Sequence, residues 1–390
     1  MAADFDVLIV GAGPVGAALA ALLVAREGVP PTRIALVGLE LRALLGDPLR
    51  VVALTRGTER VARTVGAWAD LAAGGAAAYD HMRIWHDRVG ANAALEFDAA
   101  ESGEPNLGHI APSHVLQNAL LEAFVRQGGV VRRGVLGEVS LAGDTVVAAI
   151  DGALLSAALI VGADGARSAL RAALGWPANT GSYSQSAIVA TVTSEQAHQH
   201  TAWQRFVGGG TLALLPLSDG RVSIVWSVPR ERAEALLALD VSLFNAALTV
   251  ASDNVLGGLH IVGNRGAHPL LRLQSTQYVA ERCALIGDAA HVVHPLAGQG
   301  VNLGIGDADV LARCVGAAMR EREDPGALRT LRSFERWRRG ENELMSASID
   351  AFNRLLATGT DPLSRTAQRS LGWVNRSRFL KKLFVERALQ

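Results

Sequence analysis

The residues that could do chemistry cluster in LIGDAAHVVHPLAGQGVNLGIGDA, residues 285 to 308. Cys283 to Ile286 reads as a strand and Gly287 as the turn ending it, so Asp288 stands at a strand end, placed to accept hydrogen bonds from a polyol. Gly298 and Gly300 then clear side chains away before a helix expected from about Val301, with Leu311, Cys314 and Val315 on one face. Such a helix start offers unpaired N–H groups and about half a positive charge. It could face a ring that becomes anionic on reduction, as a flavin ring does. His291 and His294 invite a metal reading, but they sit beside a Gly/Pro loop without a carboxylate or cysteine set, and no metal is expected.

Two further strand ends share this grammar. Phe5 to Val10 is the apolar run of a central parallel strand, followed by GAGPVG. Gly11, Gly13 and Gly16 permit a tight turn, close approach of the backbone to a pyrophosphate, and tight packing of the helix expected from about Val15. The unit should close with a second strand from Arg33 to Glu40, whose acid would bind an adenosine ribose. Gly38 occupies the place where that acid usually ends the run, but Glu40, two residues on, keeps the same side-chain parity if the strand extends. The alternative is an exposed glutamate opening the next helix. In AALIVGADGARSALR, residues 157 to 171, an apolar strand ends in Asp164-Gly165, with Arg167 and Arg171 expected in the first turns of the helix behind it.

The elements that position these residues must come from a globular chain. Its 390 residues, 49% of them hydrophobic, fill a sizeable core and imply two or three structural units at about 150 residues each. The 37 basic and 37 acidic residues balance, so no overall field argues for nucleic acid. The balance is local, because residues 365 to 390 carry seven basic side chains against Glu386 alone, net +6 against −6 in the rest. Two cysteines, Cys283 and Cys314, lie in apolar patterns and read as buried thiols in a reducing compartment. The apolar start is broken by Gly11, Gly13, Pro14 and Gly16 and lacks a basic flank, so it reads as a buried strand and helix, neither signal peptide nor membrane span. The expected location is cytoplasmic.

The three strand-end signals, in this order, resemble the FAD-dependent aromatic hydroxylases of the para-hydroxybenzoate hydroxylase fold. Within that group the chain is most similar to the ubiquinone-biosynthesis hydroxylases, through DPLRVVALTRGTERVARTVGAW (47 to 68), HVLQNALLEA (114 to 123), FVGGGTLALLPLSDGRVSIVWS (206 to 227) and the stretch quoted first. The resemblance covers nearly the whole chain. It implies an α/β fold: a Rossmann-like FAD-binding domain of the glutathione-reductase type, an inserted mixed β-sheet substrate domain and a C-terminal helical segment. The expected boundaries are 1–74, 100–180 and 276–350 for the first, 75–99 and 181–275 for the second, and 351–390 for the third.

The resemblance also implies that Arg50 and Gln117 contact the FAD phosphates and ribityl chain, that Asp164 lies near the cofactor, and that Asp288 binds the ribityl hydroxyls. Pro295 should border the ring edge where substrate reacts, and the backbone N–H groups of Val301 and Asn302 should meet the flavin pyrimidine. The implied reaction is hydroxylation of the ring of a prenylated phenol in ubiquinone biosynthesis, with NADPH or NADH as transient reductant and O2 as oxidant, through a flavin hydroperoxide. No second GxGxxG is evident for the nicotinamide donor. The sequence assigns no catalytic acid or base.

The chain departs from the family at Gly38 and before the VLQ segment, where Ser113 and His114 replace a polar pair such as Asn-Arg; Ser113 can still cap the helix. YDHMRIWHD (79 to 87) and the segment 183 to 275 read as strands, the latter with a hairpin at Ser218-Asp219-Gly220, and AAGGAAAYD (72 to 80) as a boundary loop. Trp203, Phe206 and Trp226 are candidate pocket liners. A flavin-dependent halogenase is disfavoured because the only lysines are Lys381 and Lys382 and Ile224 stands where the first tryptophan of its WxWxIP segment belongs. Hydroxylation of another aromatic or lipophilic substrate, and a non-catalytic flavoprotein scaffold with partners in a biosynthetic complex, remain open. In the C-terminal segment Trp373, Phe379, Leu380, Leu383 and Phe384 mix with the basic cluster, as in an interfacial helix, so peripheral membrane contact is expected.

Overall fold

Strand Phe5–Val10 lies at the centre of an eight-stranded sheet, flanked in parallel by Ile34–Gly38 and Ala153–Gly162. Val7, Leu8 and Ile9 are buried, as expected of a parallel strand covered on both faces. Val131–Arg133 extends the sheet on one side; Cys283–Leu285, then Val279–Ala280, extend it on the other. Thr145–Ile150 and Leu136–Ala142 add antiparallel to the early part of 153–162. The computed structural model describes residues 3–38, 49–87, 94–294 and 298–358.

Helix Pro14–Ala25 starts with proline at a position where its missing N–H costs nothing. Residues Gly16 to Leu23 are all buried, so the helix is apolar all round and is packed between helices Ser113–Arg126 and Gly300–Arg320. A second sheet, also of eight strands, runs in the order His291–Val292, Leu259–Ser275, Ala178–Ser194, Val222–Pro229, Gly210–Pro216, Thr201–Val207, His81–His86, Leu95–Asp98. It is antiparallel except for 201–207 against 81–86. Helices Arg230–Ala238 and Val241–Ala251 cover one of its faces, and helix Leu328–Phe352 packs on Gly300–Arg320.

The α/β class and the mixed second sheet agree with the sequence reading; five local expectations do not. The segment 183–275 is not all strand, because Asp240 caps helix 241–251 by accepting the Leu243 N–H at 2.8 Å. Residues Ala77–Tyr79 are a strand paired with Gly108–Pro112, not loop. Ser113 is the first helical residue, not the cap, because the antiparallel partner of Val51–Leu54 runs through Pro112 directly into the helix. Arg167 precedes helix Ala169–Ala173, whose cap is Ser168; Arg171 lies inside it. Cys283 is buried but Cys314 only partly so.

Candidate functional site: a flavin cradle

Gly11 is held at φ +113°, with its N–H on the Val37 carbonyl at 2.7 Å, and a Cβ there would lie 2.3 Å from the Ala163 carbonyl oxygen. The glycine loop therefore lies directly against the strand end that carries Asp164. At Gly16 a Cβ would come within 1.9 Å of the Gly11 oxygen, so helix Pro14–Ala25 can sit at this depth only without a side chain there. Gly13 differs, since a Cβ would meet nothing within 4 Å, and the space beside the helix start is open. Gly38 acquires a steric reason: a side chain would lie 2.5 Å from the Ala12 Cβ, so the closing strand touches the loop where other chains carry an acid. Glu40 lies outside the described residues.

The small three-stranded sheet brings two more candidates to the same place. Arg50 immediately precedes strand Val51–Leu54 and accepts the Ser113 N–H on its carbonyl at 2.9 Å. One turn into that helix, Gln117 donates from Nε2 to the Ala12 carbonyl at 3.1 Å, which sets it beside the glycine loop. Arg50 is exposed, and its charge pulls against the burial that raises the carboxyl pKa of Asp288 above its ordinary value. Asp164 uses Oδ2 to accept the N–H groups of Ala169 at 2.6 Å and Leu170 at 3.2 Å. Its Oδ1 is buried without a hydrogen-bond partner among the described residues.

Gly287, at φ +59°, turns the chain so that Asp288 follows the strand end. The turn packs tightly against Val15, since a Cβ on Gly287 would lie 3.1 Å from the Val15 side chain, and one on Gly304 would lie 2.6 Å from it. Thus the first helix, the Asp288 turn and helix Gly300–Arg320 converge on one valine. Arg171 joins the Asp164 segment to them by donating to the carbonyls of Ala289 and Ala166, both at 2.7 Å.

Helix 300–320 makes its first intrahelical bond from Leu303 N–H to Gln299 C=O, so the amides of Val301 and Asn302 have no intrahelical acceptor. Gly300 is open, and a Cβ on Gly298, at φ +65°, would press on Ala53 at 3.0 Å. The side chain of Asn302 is not a helix cap. Its Oδ1 accepts from Thr55 N–H at 3.0 Å and Thr58 Oγ1 at 2.7 Å, and its Nδ2 donates to the carbonyls of Ala53 at 2.7 Å and Gly298 at 3.1 Å. This fixes the helix start to strand 51–54. Pro295 lies outside the described residues.

The tempting histidines are engaged elsewhere. His291 Nε2 is 2.6 Å from Asp307 Oδ2, and His294 Nε2 is 3.1 Å from Gln185 Oε1. Burial pushes the His294 pKa down to about 4, so the ring is neutral at physiological pH. Around His294 gathers a group that sequence reasoning missed: Tyr183, whose ring meets it edge-on at 4.8 Å and whose hydroxyl donates to Asp350, and Arg272, which donates to Asp350 at 2.9 Å. Tyr183 lies within a bulge between Ser182 and Ser186, where Ser184 stands at φ +54°. No regular periodicity announces such a bulge.

The candidate liners separate by strand parity. Trp203 and Trp226 stand on the face covered by helices 230–238 and 241–251, where Trp226 is 1% exposed and meets Phe244 edge-on. Phe206 stands on the opposite face and packs on Val293 and Leu303, beside the cradle. Of the three, only Phe206 faces the candidate site.

The donor set suits FAD. Open space at Gly13 and Gly300, helix-start amides without an acceptor among the described residues, and a buried carboxylate oxygen likewise without a partner fit a phosphate, a pyrimidine edge and hydroxyl donors respectively. Comparison with known proteins agrees. The family model described as FAD binding domain matches residues 4–342. The chain is 36% identical to the ubiquinone hydroxylase UbiL of Rhodospirillum rubrum over 98% of its own length and 89% of that protein's. It is 31% identical to the 3-demethoxyubiquinol 3-hydroxylase of Escherichia coli, with 98% of each chain covered. The crystal structure of p-nitrophenol 4-monooxygenase PnpA from Pseudomonas putida shares the fold, with a TM-score of 0.79 at 18% identity over 100% of this chain and 99% of that one. The chain therefore belongs to the FAD-binding family of flavin-dependent aromatic-ring monooxygenases.

Proposed function

We propose that this enzyme hydroxylates the ring of a prenylated phenol in ubiquinone biosynthesis, with NADPH or NADH as reductant and O2 as oxidant. The observation that carries the reading is the face of the second sheet that bears Phe206, beside the cradle and opposite the face covered by helices 230–238 and 241–251. Register places Ala187, Val189, Thr211, Ala213, Val225 and Ser227 on that face, where small side chains suit contact with an apolar ring. The activities for which the two relatives are named support the same substrate class. When bound, reduced FAD activates O2 and supplies one oxygen atom to an electron-rich ring.

The chain's own residues bind and orient. Gly11, Gly13 and Gly16 admit the pyrophosphate to the helix start, with Arg50 and Gln117 flanking the phosphates and ribityl chain. Asp288 takes the ribityl hydroxyls, Asp164 lies close by, Gly298 and Gly300 clear the way for the Val301 and Asn302 amides, Glu40 takes the ribose, and Pro295 borders the ring edge. On this reading the cofactor domain comprises 1–74, 100–180 and 276–350, and the substrate domain 75–99 and 181–275. Purified protein should show flavin absorbance bands, take up added FAD, and oxidise NADPH faster with a short-chain prenylphenol, releasing hydroxylated product. Efficient turnover of water-soluble aromatics with none of the prenylphenol would overturn the substrate assignment.

We further propose peripheral membrane contact through residues 365–390, supported by their net charge of +6 and interspersed aromatic and leucine side chains. These residues lie outside the described ones. Among the described residues no helix is long and apolar enough to cross a membrane. Deleting 365–390 should abolish sedimentation with anionic liposomes at low salt; unchanged sedimentation would refute the contact.

A further inference from the structure

Asp307 is 0% exposed, two turns into helix Gly300–Arg320, and its two oxygens meet four donors. Oδ2 accepts the Gly287 N–H at 3.0 Å and faces His291 Nε2 at 2.6 Å. Oδ1 accepts from Arg338 Nε at 2.7 Å and Asn342 Nδ2 at 2.9 Å. Arg338, also buried, crosses over Gly306 and donates to the Leu303 carbonyl at 3.0 Å, within the first turn of the same helix. One carboxylate is thereby bonded to the turn that carries Asp288 and, through Arg338, to the helix start that presents the Val301 and Asn302 amides.

We propose that Asp307 is a positioning residue for FAD, holding the Asp288 turn and the start of helix 300–320 in the mutual geometry the cofactor requires. The proposal rests on the assignment of Asp288 and of these amides to the cofactor. Ile286 and Gly287 alone separate the strand Cys283–Leu285 from Asp288, and the N–H of the left-handed Gly287 is held by Asp307. Loss of that bond unties the turn from helix 300–320, and a shift there moves the Asp288 carboxylate relative to the ribityl chain. The His291 ring, stacked on Tyr278 at 6.0 Å between centroids, closes the other side of Oδ2. Although burial pushes the Asp307 carboxyl up, His291, Arg338 and Asn342 pull it far below the ordinary carboxylate range, and it stays ionised as an acceptor.

A network that only stabilises the fold would weaken FAD binding in step with stability, wherever it is cut. The test separates the two oxygens. Asp307→Asn replaces one acceptor oxygen of this four-donor site by a donor, and His291→Gln perturbs Oδ2 alone, whereas Asn342→Ala removes a donor from Oδ1 and leaves the Gly287 bond in place. FAD affinity by flavin fluorescence, visible circular dichroism of bound flavin and melting of the apoprotein are measured for each, and none of these requires a substrate. The expected result is at least tenfold weaker FAD binding and an altered flavin dichroism for Asp307→Asn, with Asn342→Ala within twofold of wild type despite a lower melting temperature. Should Asp307→Asn not fold, His291→Gln takes its place with the same expectation. FAD affinity that is unchanged, or that falls in proportion to melting temperature in both variants, overturns the proposal. Failure of the substrate assignment would leave all three readouts untouched.

Discussion

Replacing Gly16 with alanine is expected to give a protein that melts several degrees lower and is purified without flavin. The added Cβ would sit 1.9 Å from the Gly11 carbonyl oxygen and 3.3 Å from the Ala163 Cβ. Neither neighbour can yield easily. Gly11 is tied to Val37 by its N–H and wedged against the Ala163 backbone, and Ala163 in turn donates its N–H to the Val10 carbonyl at 2.7 Å. Relief requires lifting helix Pro14–Ala25 from the sheet, although Ala17 through Leu23 are buried along its whole circumference. Overpacking against backbone falls at the upper end of the usual range, about 3 kcal/mol, a large fraction of a typical net stability of about 5–15 kcal/mol. The same shift withdraws the helix N-terminus from the phosphates, so FAD binding should weaken at least 100-fold. Gly13→Ala is the counterpart. With φ at −70° and nothing within 4 Å, its methyl group fits the apoprotein and projects into the space proposed for the pyrophosphate. Its apoprotein should melt like the wild type while its FAD affinity falls. A flavin-loaded Gly16→Ala protein with wild-type melting would refute the steric account.

The strand-to-turn-to-helix units were legible because each is written in adjacent residues: an apolar run, a glycine or Asp-Gly, then an apolar helix face. Even the hairpin at Ser218-Asp219-Gly220 follows, with Leu217 donating to the Arg221 carbonyl at 2.9 Å. What escaped is what depends on residues distant in the chain. The demand for glycine at position 38 comes from Ala12, and the demand for a carboxylate at position 307 comes from Gly287 and His291 on one stretch and Arg338 and Asn342 on another. Trp226 and Phe206 looked alike as candidate liners, because parity separates two faces but does not say which one helices will cover. Helix 241–251 is a different case. Its local signal, an aspartate capping an apolar helix face, was present in the sequence and was outweighed by the surrounding strand pattern.

Asp288→Asn is expected to raise the melting temperature of the apoprotein at neutral pH while weakening FAD binding. Burial raises the pKa of this carboxyl above 3.8, and attraction to His291 and Arg50 offsets only part of that. The folded state therefore holds the proton more tightly than the unfolded chain does. The stability this gives is fully present below about pH 3.8 and is lost as pH rises through the higher folded value. At neutral pH the ionised carboxylate is a net cost to the apo fold, and asparagine removes it. Bound FAD reverses the account, because ribityl hydroxyls donating to the carboxylate stabilise its charged form. Charge-assisted bonds of this kind contribute about 1.5–3 kcal/mol, so their loss should weaken binding roughly 10- to 100-fold. The two effects also differ in pH dependence. Wild-type affinity should fall in acid as the carboxyl takes up its proton, and the asparagine variant should lack that limb. Melting curves of the apoprotein and FAD titrations, both between pH 4 and 8, read the two effects separately. A variant whose apoprotein melts lower than wild type, or whose FAD affinity keeps the wild-type acid limb, would show that Asp288 serves the fold and that the ribityl chain is held elsewhere.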